Sequence, residues 1–243
     1  MKKYAFERRE TKYIIPNERF ADFLTDLAEH MEQDEYGRHL IQSLYYDTDN
    51  YQMIRHSMEK PVYKEKFRVR CYGLACADSL VFLELKKKID RVVYKRRIAI
   101  SYETYQTWLA GGAFPMDEKQ PQISRELAWV FYQYPDLKPK VLISYERLSY
   151  FSKADAQFRV TFDQQISYQS EPFDLSTLNN RALVAPELGV LMEVKALGAY
   201  PLWFVELLNQ YQLQKSSFSK YAQTYQRHLR KEGAFYDVSK CVS

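Results

Sequence analysis

The sequence predicts an α+β protein built on a closed or strongly curved antiparallel sheet, with a charged interior and an apolar exterior that helices cover. The first observation is the segment VYKEKFRVR, which sets Lys64, Lys66, Arg68 and Arg70 two residues apart. In an extended strand all four cations leave one face, about 6–7 Å apart. Tyr63, Phe67 and Val69 leave the other face, with Glu65 among them. Such a row repels itself unless a polyanion or interleaved carboxylates lie along it. The second observation is recurrence. FERRETKYII gives Arg8, Glu10 and Lys12 on one face. FLELKKK gives Glu84, Lys86 and Lys88 opposite Leu83 and Leu85, and YKRRIAI gives Lys95 and Arg97 opposite Tyr94, Ile98 and Ile100. FRVTFD sets Arg159, Thr161 and Asp163 against Phe158, Val160 and Phe162, and VLMEVKAL carries Glu193 and Lys195. A solitary charged strand face is ordinarily just solvated; the repetition carries the reading.

The elements follow in order. After the first strand, Pro16 and Asn17 open a helix through about Glu32, with Phe20, Phe23, Leu24 and Leu27 at helical spacing. Residues 41–46 read as a strand, and 47–50 as a turn into a short helix. Three long strands cover about 61–73, 79–88 and 91–101, the first two joined by a break at 73–78. Residues 102–109 read as a helix that stops at Gly111 and Gly112, and 123–134 as another, with Leu127, Val130, Phe131 and Tyr134 on its apolar face. Strands at about 140–151 and 157–168 follow Pro139. A loop rich in Asn and Ser spans 171–186, and a strand 189–197. Pro201 sits in the first turn of a helix through Tyr211, and 218–230 forms the last helix. Strands in bursts, with helices inserted, exclude a doubly wound sheet.

Composition narrows the function. A net charge of +4 over 243 residues excludes a bulk-basic nucleic-acid binder. Seven glycines argue against a glycine-rich phosphate loop, and 16% aromatics against disorder. Cys71, Cys76 and Cys241 have no metal-like spacing and read as reduced thiols. The opening MKKYAFERRETKY lacks the apolar core of a signal peptide, and no window has transmembrane length. The expectation is a soluble, cytoplasmic single domain over 1–243, with a C-terminal tail from about 231.

Arg8-x-Glu10-x-Lys12, SLYYDT at 43–48, KEKFRVRCYG at 64–73, LELKKK at 83–88 and KRR at 95–97 together resemble a known family. So do YER at 145–147, RVTFD at 159–163, MEVK at 192–195 and FSKY at 218–221. The chain resembles the VTC domain, the polyphosphate polymerase branch of the triphosphate tunnel metalloenzymes, over about residues 4–226. The resemblance implies an eight-stranded antiparallel β-barrel with helices packed outside and interior cations that hold a triphosphate. It implies transfer of the ATP γ-phosphate to inorganic polyphosphate with release of ADP, and a requirement for Mn2+ or Mg2+. Carried over by position, the phosphate ligands are Lys12, Arg68, Arg70, Lys86, Lys95, Arg147, Arg159 and Lys220, and Glu193 matches the metal-binding glutamate. Arg8, Lys64, Lys66, Lys88, Arg97 and Lys195 join them as further substrate contacts.

Arginine forks and mobile lysines suit phosphoryl transfer, which demands positioning and charge neutralisation more than a covalent nucleophile. Hydrolytic tunnel enzymes begin Glu-x-Glu-x-Lys, whereas Arg8 stands at the first position here. That exchange favours holding a polyanion over activating water. A tunnel-type triphosphatase and a non-catalytic polyphosphate- or nucleotide-binding module are the alternatives. RNA fits poorly, because the aromatics lie on the apolar strand faces. Glu10 and Glu84 read either as ligands of a second metal or as salt-bridge partners, and Asp163 as a cap or ion-pair partner. Asp47 and Asp49 read as a capping turn. His30, His39, His56 and His228 read as surface residues, and Tyr200 and Trp203 as packing.

Overall fold

The computed structural model describes residues 8–90 and 92–230. Eleven strands form one sheet: β1 (Arg8–Ile15), β2 (Met31–Gln33), β3 (His39–Asp47), β4 (Tyr63–Tyr72), β5 (Leu80–Ile89), β6 (Val92–Ser101), β7 (Lys138–Ser152), β8 (Arg159–Gln169), β9 (Ala182–Leu183), β10 (Val190–Leu197) and β11 (Lys215–Ser216). Every pairing is antiparallel, in the order β11-β1-β10-β8-β7-β3-β4-β5-β6, with β2 on β7 and β9 on β8. The helices are α1 (Phe20–Ala28), α2 (Gln52–Met58), α3 (Tyr102–Leu109), α4 (Pro121–Gln133), α5 (Leu202–Gln210) and α6 (Lys220–Thr224), the last continuing into a π-helical turn, Tyr225–Leu229.

The α+β class and the large antiparallel sheet are as expected, but the closed eight-stranded barrel is corrected. Among the described residues β6 pairs only with β5, and the sheet path is open. Its two ends nevertheless face one another. Lys86 on β5 lies within electrostatic reach of Glu10 and Lys12 on β1, and Lys195 on β10 within reach of Lys95 on β6.

Strand alternation explains the convex layer. Phe67 and Val69 of β4, Leu83 and Leu85 of β5 and Ile98 of β6 pack under α3 and α4 with Tyr105, Leu127 and Val130. Tyr13 of β1, Phe162 of β8 and Met192 of β10 pack under α1 and α5 with Phe23, Leu27 and Phe204. Tyr200 and Trp203 belong to this second cluster, so their packing role is as expected.

Helices are not confined to the outside. Ile41, Ile143, Tyr145, Ile166 and Leu191 sit on the concave face, and Phe218, just before the last helical segment, and Tyr221 and Tyr225 within it cover them. Gln165, left-handed at φ 51°, lies where β7 and β8 shift register, which lets Asp163 and Ile166 share that face. The first helix is also shorter than its apolar spacing predicts. It ends at Ala28, and buried Met31 starts a short strand paired with β7 instead. Gly189 precedes β10 where a Cβ would run into the Ile15 carbonyl. That close approach fixes the β1–β10 register, in which Lys12 lies opposite Glu193.

Candidate functional site

The cross-strand register gathers the predicted cations on the concave face into two clusters. One is centred on two buried carboxylates. Asp163 is fully buried and accepts both Nε and Nη2 of Arg147, at 2.6 and 2.7 Å, as well as Nζ of Lys220. Glu193 lies 3.3 Å from Lys12 Nζ, 3.4 Å from Lys220 Nζ and 3.5 Å from Arg147 Nη2. Lys220 opens α6, whose Ser219 hydroxyl caps the helix by accepting the Ala222 amide. Its ammonium also sits 4.4 Å from the centre of the Tyr145 ring. Burial pushes both carboxyls up. For Glu193 the charges of Lys220, Lys12 and Arg147 outweigh it, and for Asp163 those of Arg147 and Lys220; both groups end below the usual carboxylate range.

The second cluster is centred on Glu84. Arg68 donates Nε and Nη2 to Glu84 Oε2, each at 2.7 Å, and Arg97 and Arg70 lie 3.6 and 3.9 Å from the same carboxylate. Glu84 thus pairs with the neighbouring inward arginines. Arg70 also donates to the Ser43 and Tyr145 hydroxyls, and Arg68 Nη1 to the Tyr45 hydroxyl at 3.1 Å. Burial pushes the Tyr45 phenol up, but Arg68, Arg70 and Lys66 outweigh that and bring it down to about 8.

Between the clusters stand cations that no carboxylate answers at ion-pair distance; Glu10 reaches Lys86 and Lys195, and Glu193 reaches Lys195, only from farther off. Lys66, Lys86 and Lys95 form one rung across β4, β5 and β6, and Lys195 faces them from β10. Among the described residues none of the four has an ion-pair partner, whereas the arginines around Glu84 do. Burial draws Lys66 and Lys195 down to about 8 and lowers Lys86 as well. Lys64 and Lys88 form the next rung, where Lys64 donates to the Ser57 carbonyl at the end of α2.

The remaining expected residues border this centre or lie outside the described residues. Arg159 lies 3.7 Å from Asp34 and over the Phe151 ring. Glu10 is exposed, opposite Lys195 in the ladder. Arg8 begins β1, but its side chain lies outside the described residues, as do Cys241 and the tail from 231. Asp47 is buried and accepts the Met53 and Ile54 amides and the Tyr221 hydroxyl, so it caps α2 as expected. Asp49 pairs with Lys138 and Lys140. No group of three His, Cys, Asp or Glu side chains converges among the described residues. His30 stacks on Trp203 and His228 on Tyr168.

Sequence reasoning passed over Tyr45, Ser149 and Thr161. Glu193, Thr161 and Ser149 occupy one row across β10, β8 and β7. Both hydroxyl oxygens are buried without a hydrogen-bond partner. Thr161 lay in the quoted Arg159-x-Thr161-x-Asp163 alternation, a signal sufficient to find it; Ser149 had none beyond its period-2 spacing from Arg147.

Fold and site together define a curled antiparallel-sheet protein with a cation-lined concave face. The VTC domain model matches residues 7–229, and the chain belongs to that family. The chain is also similar to a solved structure from Hippeastrum, assigned as an adenylyl cyclase and described as having a dominant triphosphatase activity. That likeness has a TM-score of 0.54 and 15% identity over 90% of this chain and 96% of that one. A second, from Bacillus halodurans and assigned as an adenylate cyclase, has a TM-score of 0.51 and 16% identity over 87% and 92%. At these identities the likeness is one of fold. No curated protein matches the chain. No helix among the described residues is long and apolar enough to cross a membrane.

Proposed function

We propose that the protein is a polyphosphate polymerase that transfers the γ-phosphate of ATP to the end of an inorganic polyphosphate chain and releases ADP. The observation that carries this reading is the unanswered rung of Lys66, Lys86 and Lys95, with Lys195 opposite, beside arginines already aimed by Glu84. Lys66 and Lys195 are half-buried and Lys86 and Lys95 exposed; like charges held this close repel one another, and a polyanion lying along the rung removes that cost. Arg68 and Arg70, oriented by Glu84, Tyr45, Ser43 and Tyr145, would grip non-bridging oxygens, while the lysines follow the charge as it spreads in the transition state. A terminal oxygen of the acceptor chain attacks the γ-phosphorus, and the bond to the β,γ-bridging oxygen breaks in line, leaving on ADP. The acceptor oxygen is already anionic, so no general base is needed.

The family implies a divalent cation, and the residues present fit one. Glu193 and the unpartnered hydroxyls of Thr161 and Ser149 supply hard oxygen donors in one row, with phosphate oxygens and water as the natural remainder. When bound, Mn2+ or Mg2+ would neutralise charge on the reacting phosphates.

Two outcomes are expected at the binding step. Arg70→Ala and Lys86→Ala should each weaken tripolyphosphate binding about tenfold or more, measured by calorimetry, with the fold retained. Affinity should also fall as pH rises. Below about 8 Lys66 and Lys195 are protonated and Tyr45 is neutral; above it both ammonium charges are lost and a phenolate appears. The first two changes remove attraction and the third adds repulsion, so the dissociation constant should rise about tenfold or more between pH 7 and 9. A flat profile would remove these groups from the site.

The reaction itself is tested by incubation with ATP and manganese, with and without a short polyphosphate primer. A polymer ladder sensitive to exopolyphosphatase, with stoichiometric ADP, is expected. Free phosphate without polymer would make the protein a tunnel triphosphatase, and neither product would leave a binding module.

A further inference from the structure

Glu65 is the one charge in the apolar row of β4, and the proposed reaction does not use it. It points away from the concave face and is 5% exposed. Its Oε2 accepts the Tyr63 hydroxyl at 2.7 Å, and the Tyr134 phenol lies beside the carboxylate. Among the described residues no cation forms an ion pair with it. Lys87, its partner across the ladder, stays beyond ion-pair distance. A carboxylate buried with neutral donors alone carries a desolvation penalty that a cation would relieve.

The space beside it can hold one. Glu65, Tyr63 and Tyr134 help line a cleft of about 490 Å³ between α2, β4 and the end of α4, within the size range of small-molecule sites. Glu59 stands at the rim, and Asn50 and Gln52 add amide groups. The cationic side chains of the rim are otherwise engaged. Arg55 donates to the Asn50 carbonyl at 3.4 Å. His56 donates Nε2 to the Tyr63 carbonyl at 3.0 Å, with Nδ1 3.6 Å from Glu59.

We propose that this cleft is a binding site for a small organic cation, a primary amine or diamine. Its ammonium lies against Glu65 and its carbon chain against the Tyr63 and Tyr134 rings. The charge supplies the affinity and the aromatic walls favour a cation over a neutral molecule of the same shape. The site is separate from the concave face and independent of the proposed reaction.

The test is calorimetric titration of the full chain with 1,4-diaminobutane in phosphate-free buffer, with 1,4-butanediol as the neutral counterpart. Saturable binding of the diamine and none of the diol is expected. Glu65→Gln should weaken it about tenfold or more, while Lys86→Ala leaves it unchanged. In the wild-type protein the carboxyl carbon of Glu65 and the ring of Tyr134 should shift together in carbon NMR over the same titration. That readout stands even where the Glu65 variant does not fold. Absence of saturable binding up to about 10 mM, equal affinity for the diol, undiminished binding by Glu65→Gln, or shifts confined to other residues would each overturn the proposal.

Discussion

Glu193→Gln is expected to abolish metal-dependent turnover, by about 100-fold or more, while leaving tripolyphosphate binding within about threefold of wild type. The substitution keeps the shape and an acceptor oxygen but removes the charge. Lys12, Lys220 and Arg147 all lie within 3.5 Å of that carboxylate, so its neutralisation releases cations toward the ligand rather than subtracting them. What is lost is the one anionic donor in the row with Thr161 and Ser149. Calorimetry beside a product assay separates the two effects. Unchanged turnover would place the metal elsewhere, and lost binding would make Glu193 a scaffold for the cations.

Asp163→Ala should destabilise the protein by about 3–5 kcal/mol. The carboxylate is fully buried, accepts a fork from Arg147, and holds Lys220 at the start of α6. Without it Arg147 and Lys220 are left to share the longer contacts of Glu193, at 3.5 and 3.4 Å, and the helix that covers the concave apolar residues loses its closer tie to the sheet. Denaturant unfolding with and without tripolyphosphate checks this. The ligand should restore more stability to the variant than to wild type, because its oxygens can answer the freed cations. An equal increment would mean that those cations do not face the ligand. The same pair sets an acid limit. Both Asp163 and Glu193 are held below the usual carboxylate range. Their contribution is therefore complete above about pH 4 and lost as pH falls through their depressed values.

The sheet was legible because a period of two cannot hide. Lys64, Lys66, Arg68 and Arg70 alternate with buried Phe67, Val69 and Cys71, and the same rule drew out β5, β6, β8 and β10. Closure was not legible, since alternation is identical in a barrel and in an open curled sheet. Nor was the place of α6. Residues 218–230 read as a helix like any other, and only the three-dimensional path puts Phe218, Tyr221 and Tyr225 against Ile143 and Leu191 on the concave side. Lys220 drew notice through the family resemblance alone. Which cations are answered and which are free depends on distances across strands. That Glu84 gathers Arg68, Arg70 and Arg97 around one carboxylate is visible only in those distances. Ser149 and Thr161 are small and neutral, and their interest comes from burial without a partner.

The central claim is that the unanswered lysines, and not the protein's general positive charge, hold the phosphate chain. It is tested by titrating tripolyphosphate into Lys66→Ala/Lys86→Ala/Lys95→Ala and into a control of equal charge loss at exposed positions, Lys60→Ala/Lys119→Ala/Lys215→Ala. The account predicts a loss of about 100-fold or more in the first variant and less than about threefold in the second. Equal losses would contradict it.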